Sequence, residues 1–261
     1  MKVRQPLFYE TVKFLLFSTV IILIIAPGLK GLNYRWQWYR LPDYLLLKTK
    51  TGISAGPLLK GLSVTLFISV ISLCLTVIIG FATALLRLSE SITAVFISRV
   101  YLELIRNTPL LIQLFLMYFV ISPILGIGRL PSAILALSLF EGAYTSEIIR
   151  SGIISIERGQ WEAAHSLGLP KGLVYRLIIL PQAFRQVLPM LASQAISLIK
   201  DSALVSTIAI YDLTMRGQVA ISETFLTFEI WFTVAAVYLI INIALSQIIM
   251  IFERRLKKVD L

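Results

Sequence analysis

Gln194, Ser197 and Asp201 recur at intervals of three and four residues inside an apolar stretch, with Lys200 beside the aspartate. Helical spacing sets the first three on one side of the element, a polar stripe whose ends lie about 10 Å apart along the axis. A charged side chain at the centre of a membrane span costs roughly 2.5 to 3.5 kcal/mol, so these groups must face protein or water. One reading is ligand contact, with Asp201 receiving an ammonium, Gln194 meeting a second polar group, and Lys200 securing helix ends or a neighbouring subunit. The other is a polar network between helices, for which membrane proteins use the same residue types. Glu141 and Glu147 bear the same cost in another apolar stretch. Six residues apart, they fall on different helix faces, which argues against a paired acid–base site. Glu141 then either faces an aqueous path or makes a structural hydrogen bond.

Other chemistry is thinly represented. The lone His165 has no second histidine with which to build a zinc motif, and its default role is surface packing. There is no Gly-x-x-x-x-Gly-Lys-Ser/Thr loop to cradle phosphates. No catalytic residue and no metal ligand set is therefore assigned. Cys74, the single cysteine, excludes a disulfide within the chain and reads as a small packed residue.

The elements that hold these residues are membrane spans. With 57% hydrophobic and only 15% charged residues over 261 positions, the chain is too apolar for an ordinary soluble domain. Six apolar segments are predicted at 14–27, 62–86, 109–127, 134–149, 187–210 and 230–252, against the roughly 20 residues that a spanning helix needs. The first follows Lys2, Arg4 and Lys13 in the manner of a signal peptide, but no small-x-small cleavage site is clear, so a retained anchor is expected. The formal charge of +10 is scattered between apolar stretches rather than gathered into a stripe, which disfavours nucleic-acid binding and fits topology signals. Alternating the loops across the bilayer puts 15 basic residues on one side and eight on the other, and the positive-inside rule then assigns both termini and the loop from Arg150 to Arg185 to the cytoplasm. Six basic residues between Lys30 and Lys60 run against that rule. The run Tyr34-Arg35-Trp36-Gln37-Trp38-Tyr39-Arg40 among them suits the headgroup boundary.

Between Ser155 and Pro189 local chemistry predicts a helix, a sharp break and a second helix. Glu157, Gln160 and Glu162 favour the start of the first, Gly168 suits a left-handed cap, and Pro170 suits the first turn of the second. Pro181 should interrupt that second helix, giving two short helices at an angle. Ala163, Ala164 and Gly168 would leave a low surface that another protein can approach. Upstream, Thr108 and Pro109 read as the N-cap and first turn of a helix, and a gate-lining role for Arg106 to Pro109 is the lesser reading.

Glu162-Ala163-Ala164, then Gly168, Ile178 and Leu180-Pro181, resemble the coupling loop of permease subunits in bacterial ATP-binding-cassette importers. The resemblance runs from about Gly61 to Phe252 and is closest to the polar amino-acid uptake group (histidine, glutamine, arginine and glutamate-type permeases). Gly61 to Thr65, Tyr101 to Gln113, Glu141 to Arg150, Gly159 to Ala164, Leu180 to Ala183 and Lys200 to Leu204 carry it. It implies an all-α integral membrane protein of about six transmembrane helices with type I importer architecture, in the inner membrane. Residues 1–60 would form an anchor helix and interfacial segment, 61–252 the permease domain with its coupling loop at 155–189, and 253–261 a cytoplasmic tail. Glu162, Ala163, Ala164 and Gly168 would couple to a separate ATPase, which would carry the ATP and Mg. The other implied partners are a second permease chain, the same or homologous, and an extracytoplasmic amino-acid-binding protein. Glu141, Gln194, Ser197, Lys200 and Asp201 would line the substrate path. Cationic-substrate members often have Glu where this chain has Gln194, which keeps neutral and acidic amino acids open. The rival readings are an intramembrane enzyme using Glu141, Glu147 or Asp201 and an ion-driven secondary transporter.

Overall fold

A computed structural model describes residues 7–31, 34–49 and 52–257. The chain divides into two compact units, Met1–Tyr39 and Arg40–Leu261. In the first, helix α1 (Leu7–Gly31) reaches about 37 Å at the standard rise and carries exposed apolar side chains such as Phe14, Phe17 and Ile24. After it, Trp36 meets Tyr34 edge-on and stacks on Trp38 at 5.9 Å.

The second unit opens with a short helix α2 (Pro42–Leu45) and a hairpin that the all-helical reading does not foresee. Strand β1 (Leu46–Thr49) pairs antiparallel with β2 (Gly52–Ala55), Leu46 facing Ala55 and Thr49 facing Gly52. Pro57 then starts α3 (Pro57–Leu88), its fixed φ and missing amide costing nothing in a first turn. The remaining helices are α4 (Ile92–Arg106), α5 (Leu110–Phe115), α6 (Ser122–Leu125), α7 (Arg129–Ile154), α8 (Arg158–Ser166), α9 (Lys171–Leu173), α10 (Leu180–Asp201), α11 (Leu213–Thr224) and α12 (Thr227–Lys257).

Among the described residues α1, α3 and α12 are long and apolar enough to cross a bilayer, and α4 with α5–α6 forms a fourth candidate bent by 106°. Helices α7 and α10 are of spanning length but carry more polar and small side chains, because their partners are other helices rather than lipid. Helix α4 lies between the apolar segments expected at 62–86 and 109–127, a helix that hydropathy alone does not mark.

Two wide, π-type segments correct the expected effect of proline. Leu116–Ile121 precedes Ser122-Pro123, and Val174–Ile179 precedes Leu180-Pro181, with the same offset in both. The amide of Ser122 reaches Met117 and that of Leu180 reaches Tyr175, five residues back. A wider turn relieves the clash between a proline ring and the carbonyl four residues earlier, so the helical path continues through Pro181 into α10. Thr108 is a second correction: its hydroxyl donates back to the Leu104 carbonyl at 2.8 Å, closing α4, while Pro109 occupies the N-cap of α5.

The centre of the unit is the pairing of α3 with α7. A Cβ on Gly80 would lie 2.6 Å from Thr145, and one on Gly142 would lie 2.8 Å from Ile79, so glycine at both positions lets the backbones approach. The Ser138 hydroxyl donates across the seam to the Ser72 carbonyl at 3.3 Å, and Tyr101 of α4 donates to the Leu139 carbonyl at 2.6 Å. Close backbones and satisfied hydroxyls replace the hydrophobic drive that lipid cannot supply.

Candidate functional site

The loop after α7 is built as a shelf on the ends of the central helices. Glu157 stands at the N-cap of α8, Arg158 pairs with Glu162 at 3.0 Å one turn on, and Gly168 adopts a φ of +69° that ends the element. Pro170 sits one position earlier than anticipated, at the N-cap of α9. Ala164 turns inward and packs among Ile149, Ile153, Val174, Ile179 and Ala183. Glu162, Ala163 and Gly168 remain exposed. The four residues of the sequence motif therefore divide: Ala164 is small because α8 lies close on its own core, whereas the other three present the outer surface.

The shelf is held from several sides. Trp161 meets Tyr175 edge-to-face at 5.3 Å, and the Ser155 hydroxyl donates to the Gln186 side chain at 2.7 Å. His165 bonds through Nδ1 to the Trp161 carbonyl, its own preceding turn, in keeping with a packing role. Above it, Glu147 forms ion pairs with Arg87 of α3 and with Arg150 at 3.0 Å, fastening the two central helices at their loop ends. Lys171 pairs with Glu90 across 81 residues. The lysine beside Glu90 holds its carboxyl below the usual range, and the carboxylate holds the Lys171 ammonium above its own. Glu147–Arg150 is an i,i+3 pair within α7, whereas Glu147–Arg87 and Glu90–Lys171 have no sequence signature, since those partners lie on different elements.

The second group lies within the helices. Glu141 of α7 is fully buried, and one of its oxygens accepts a hydrogen bond from the Gln194 side-chain amide of α10. The other oxygen, Oε1, is also buried. The Asp201 carboxyl lies close enough to Glu141 for the two acids to share a hydrogen bond, and Lys200 lies within electrostatic reach. The fold thus brings three of the other four predicted path residues, Gln194, Lys200 and Asp201, around the Glu141 carboxyl. Ser197 is half-buried on the same helix. Glu147, at the loop end, belongs to the ion-pair cluster instead.

A match to the model of the binding-protein-dependent transport system inner membrane component covers residues 76–258. The chain belongs to this family. It is a permease subunit of an ATP-binding-cassette importer, not an enzyme, and such permeases work with separate ATPase and binding-protein subunits. The permease is 37% identical over 205 residues to the arginine transport system permease protein ArtQ of Bacillus subtilis, covering 78% of this chain and 94% of the relative. It is equally identical over 203 residues to the glutamine transport system permease protein GlnP of Escherichia coli, covering 77% and 93%. Among solved structures, an amino acid ABC transporter superposes with a TM-score of 0.71 at 35% identity, over 76% of this permease and 94% of that chain. The MetNI methionine transporter in an inward-facing state shares the fold, with a TM-score of 0.68 at 19% identity over 77% and 96%. The permease is accordingly a multi-pass inner-membrane protein of type I importer architecture.

Proposed function

We propose that this permease carries a polar amino acid, with the ammonium of the substrate meeting the Glu141–Asp201 pair and Gln194 orienting it. The observation that carries the reading is the buried Glu141 carboxyl with a second acid, Asp201, within hydrogen-bonding reach of it. A surplus of acceptors at a buried carboxyl is costly, and an ammonium brings three donors and a compensating charge. The relatives' names, arginine and glutamine transport permeases, point to the same substrate class. Ser197 and Lys200 flank the path, Lys200 supplying a positive charge where a substrate carboxylate would lie.

The loop from 155 to 189 faces the cytoplasm in this reading, as do both termini, and residues 1–60 add an anchor and interfacial segment to the permease domain at 61–252. Glu162, Ala163 and Gly168 form the face on which an ATPase subunit docks, with Ala164 seating that face on the core. ATP and Mg act on the ATPase. A second permease chain completes the path, and an extracytoplasmic amino-acid-binding protein delivers to it.

Reconstituted with its ATPase and binding protein, the permease is expected to accumulate a polar amino acid only with ATP. Asp201→Asn and Glu141→Gln should each lower uptake by about tenfold or more while leaving ATPase association intact, the equivalent of one lost charge-assisted contact. Uptake unaltered in both variants would refute the site.

A further inference from the structure

The hairpin ahead of α3 has two unlike faces. Leu47 and Ser54, opposite each other in the register, are half-buried, whereas Leu46, Lys48, Ile53 and Ala55 make up the other face and are exposed, Ile53 to 73%. It is not a loose linker. Gly56 donates its amide to the Leu45 carbonyl at 2.7 Å, a Cβ on Gly56 would run into the Tyr44 carbonyl, and Tyr44 and Leu45 pack against the cluster of Leu58, Leu213 and Ile230. A fixed pair of strands therefore holds an apolar face with one lysine outward. It precedes the stretch 76–258 that the family model matches. We propose that this face binds anionic phospholipid headgroups, Lys48 meeting the phosphate while Leu46 and Ile53 enter the adjoining apolar layer.

The depth of the face follows from α3. Residues 61–86 carry no charged side chain, and at the standard rise Lys60 and Arg87 stand about 40 Å apart on that helix. A bilayer with a hydrocarbon core of about 30 Å, and of about 40–45 Å with its headgroup layers, then sets the two cations in opposite headgroup layers. Lys60 is exposed in the first turn of α3, and β2 ends at Ala55, two residues before the helix begins. The hairpin accordingly lies at the level of the lipid phosphates, where exposed Leu46 and Ile53 gain apolar surroundings and the lysine head can stay in the polar layer.

Charge selects the class of lipid. Between Lys30 and Lys60 the chain has six basic residues and a single acid, Asp43. On the reading that the loop from 155 to 189 is cytoplasmic, this excess sits on the outer side, against the positive-inside rule. Anionic headgroups compensate it, since a lysine near a negatively charged membrane surface gains about fivefold in binding. A phosphocholine headgroup brings its own cation and gives Lys48 no such gain. The choice of the outer leaflet rests on the orientation proposed above; the lipid contact does not.

The test uses the permease–ATPase complex in nanodiscs, with hydrogen exchange of the amides of residues 46–55 as a local readout. Phosphatidylglycerol in place of phosphatidylcholine should slow exchange in the wild-type hairpin by about fivefold, and high salt should shrink the difference. Lys48→Gln should abolish the difference and Lys48→Arg should keep it. The Lys48 side chain is exposed, so neither change disturbs the core. Equal exchange in the two lipids, or a difference that Lys48→Gln leaves intact, would overturn the proposal. So would stronger protection by the extracytoplasmic amino-acid-binding protein in phosphatidylcholine than by phosphatidylglycerol, which would give the face to a protein. The readout needs no transport, so a failure of uptake would strike at the substrate path and leave this face standing.

Discussion

Gln194 donates its side-chain amide to Glu141 across 53 residues of sequence, joining α10 to α7 inside the membrane domain. The same carboxyl lies within hydrogen-bonding reach of Asp201, so two acids meet beside the amide. Gln194 is thereby a neutral donor in a site otherwise rich in acceptors.

Gln194→Glu replaces that donor by another acid. The variant is expected to raise the ratio of cationic to neutral amino-acid uptake by about tenfold, the scale of one favourable charge contact. Competition uptake with labelled arginine and glutamine reads the ratio, and an unchanged value would count against substrate contact at this position.

Gly168 holds a φ of +69°, a conformation that costs an L side chain about 1–2 kcal/mol. Gly168→Val should loosen the end of the loop and reduce both ATPase co-purification and uptake. Gly159→Ala is the control, because that glycine has ordinary backbone and open space around it. Equal behaviour of the two variants would remove Gly168 from the coupling surface.

Glu147 neutralises two arginines at the loop end of α3 and α7. In Glu147→Gln those arginines face each other uncompensated, and a loss of about 1–2 kcal/mol is expected for such half-buried pairs. Thermal unfolding in detergent should show a lowered midpoint. Restoration by the further change Arg87→Gln would identify repulsion as the cause.

Asp212 caps α11 by accepting from the Met215 amide at 2.8 Å, yet burial pushes its carboxyl up to about 6, outweighing the Met215, Thr214 and Tyr238 hydrogen bonds that favour ionisation. Its folded-state value lies above its unfolded one, so its contribution to stability is greatest at low pH and is lost as pH rises through about 6. Lowering the pH from 8 to 5 should gain stability from this group, on the order of 1 kcal/mol. Asp212→Asn should flatten that part of the pH profile of thermal stability.

Gly80→Val would drive a side chain into Thr145 at the central seam, where a Cβ alone comes within 2.6 Å. Overpacking of this kind costs about 1–3 kcal/mol. Reduced thermal stability together with reduced membrane accumulation is expected, and wild-type values for both would mean that α3 and α7 can separate without loss.

The sequence by itself determined the membrane class, the helical stripe holding Gln194, Ser197 and Asp201, and the break at Gly168. Each of these follows from local chemistry: apolar length, a period of 3.6 residues and a backbone conformation that glycine adopts without strain. Tertiary structure decided which groups meet. Glu141 and Gln194 lie on separate helices, as do Glu147 and Arg87 or Glu90 and Lys171, and no period in the chain relates them. It also decided that Ala164 packs inward, because only the fold defines which side of α8 is covered. The proline at 181 shows where local reasoning stops: its missing amide is a property of the residue, but whether the helix ends or widens depends on how well neighbouring elements hold the continued path.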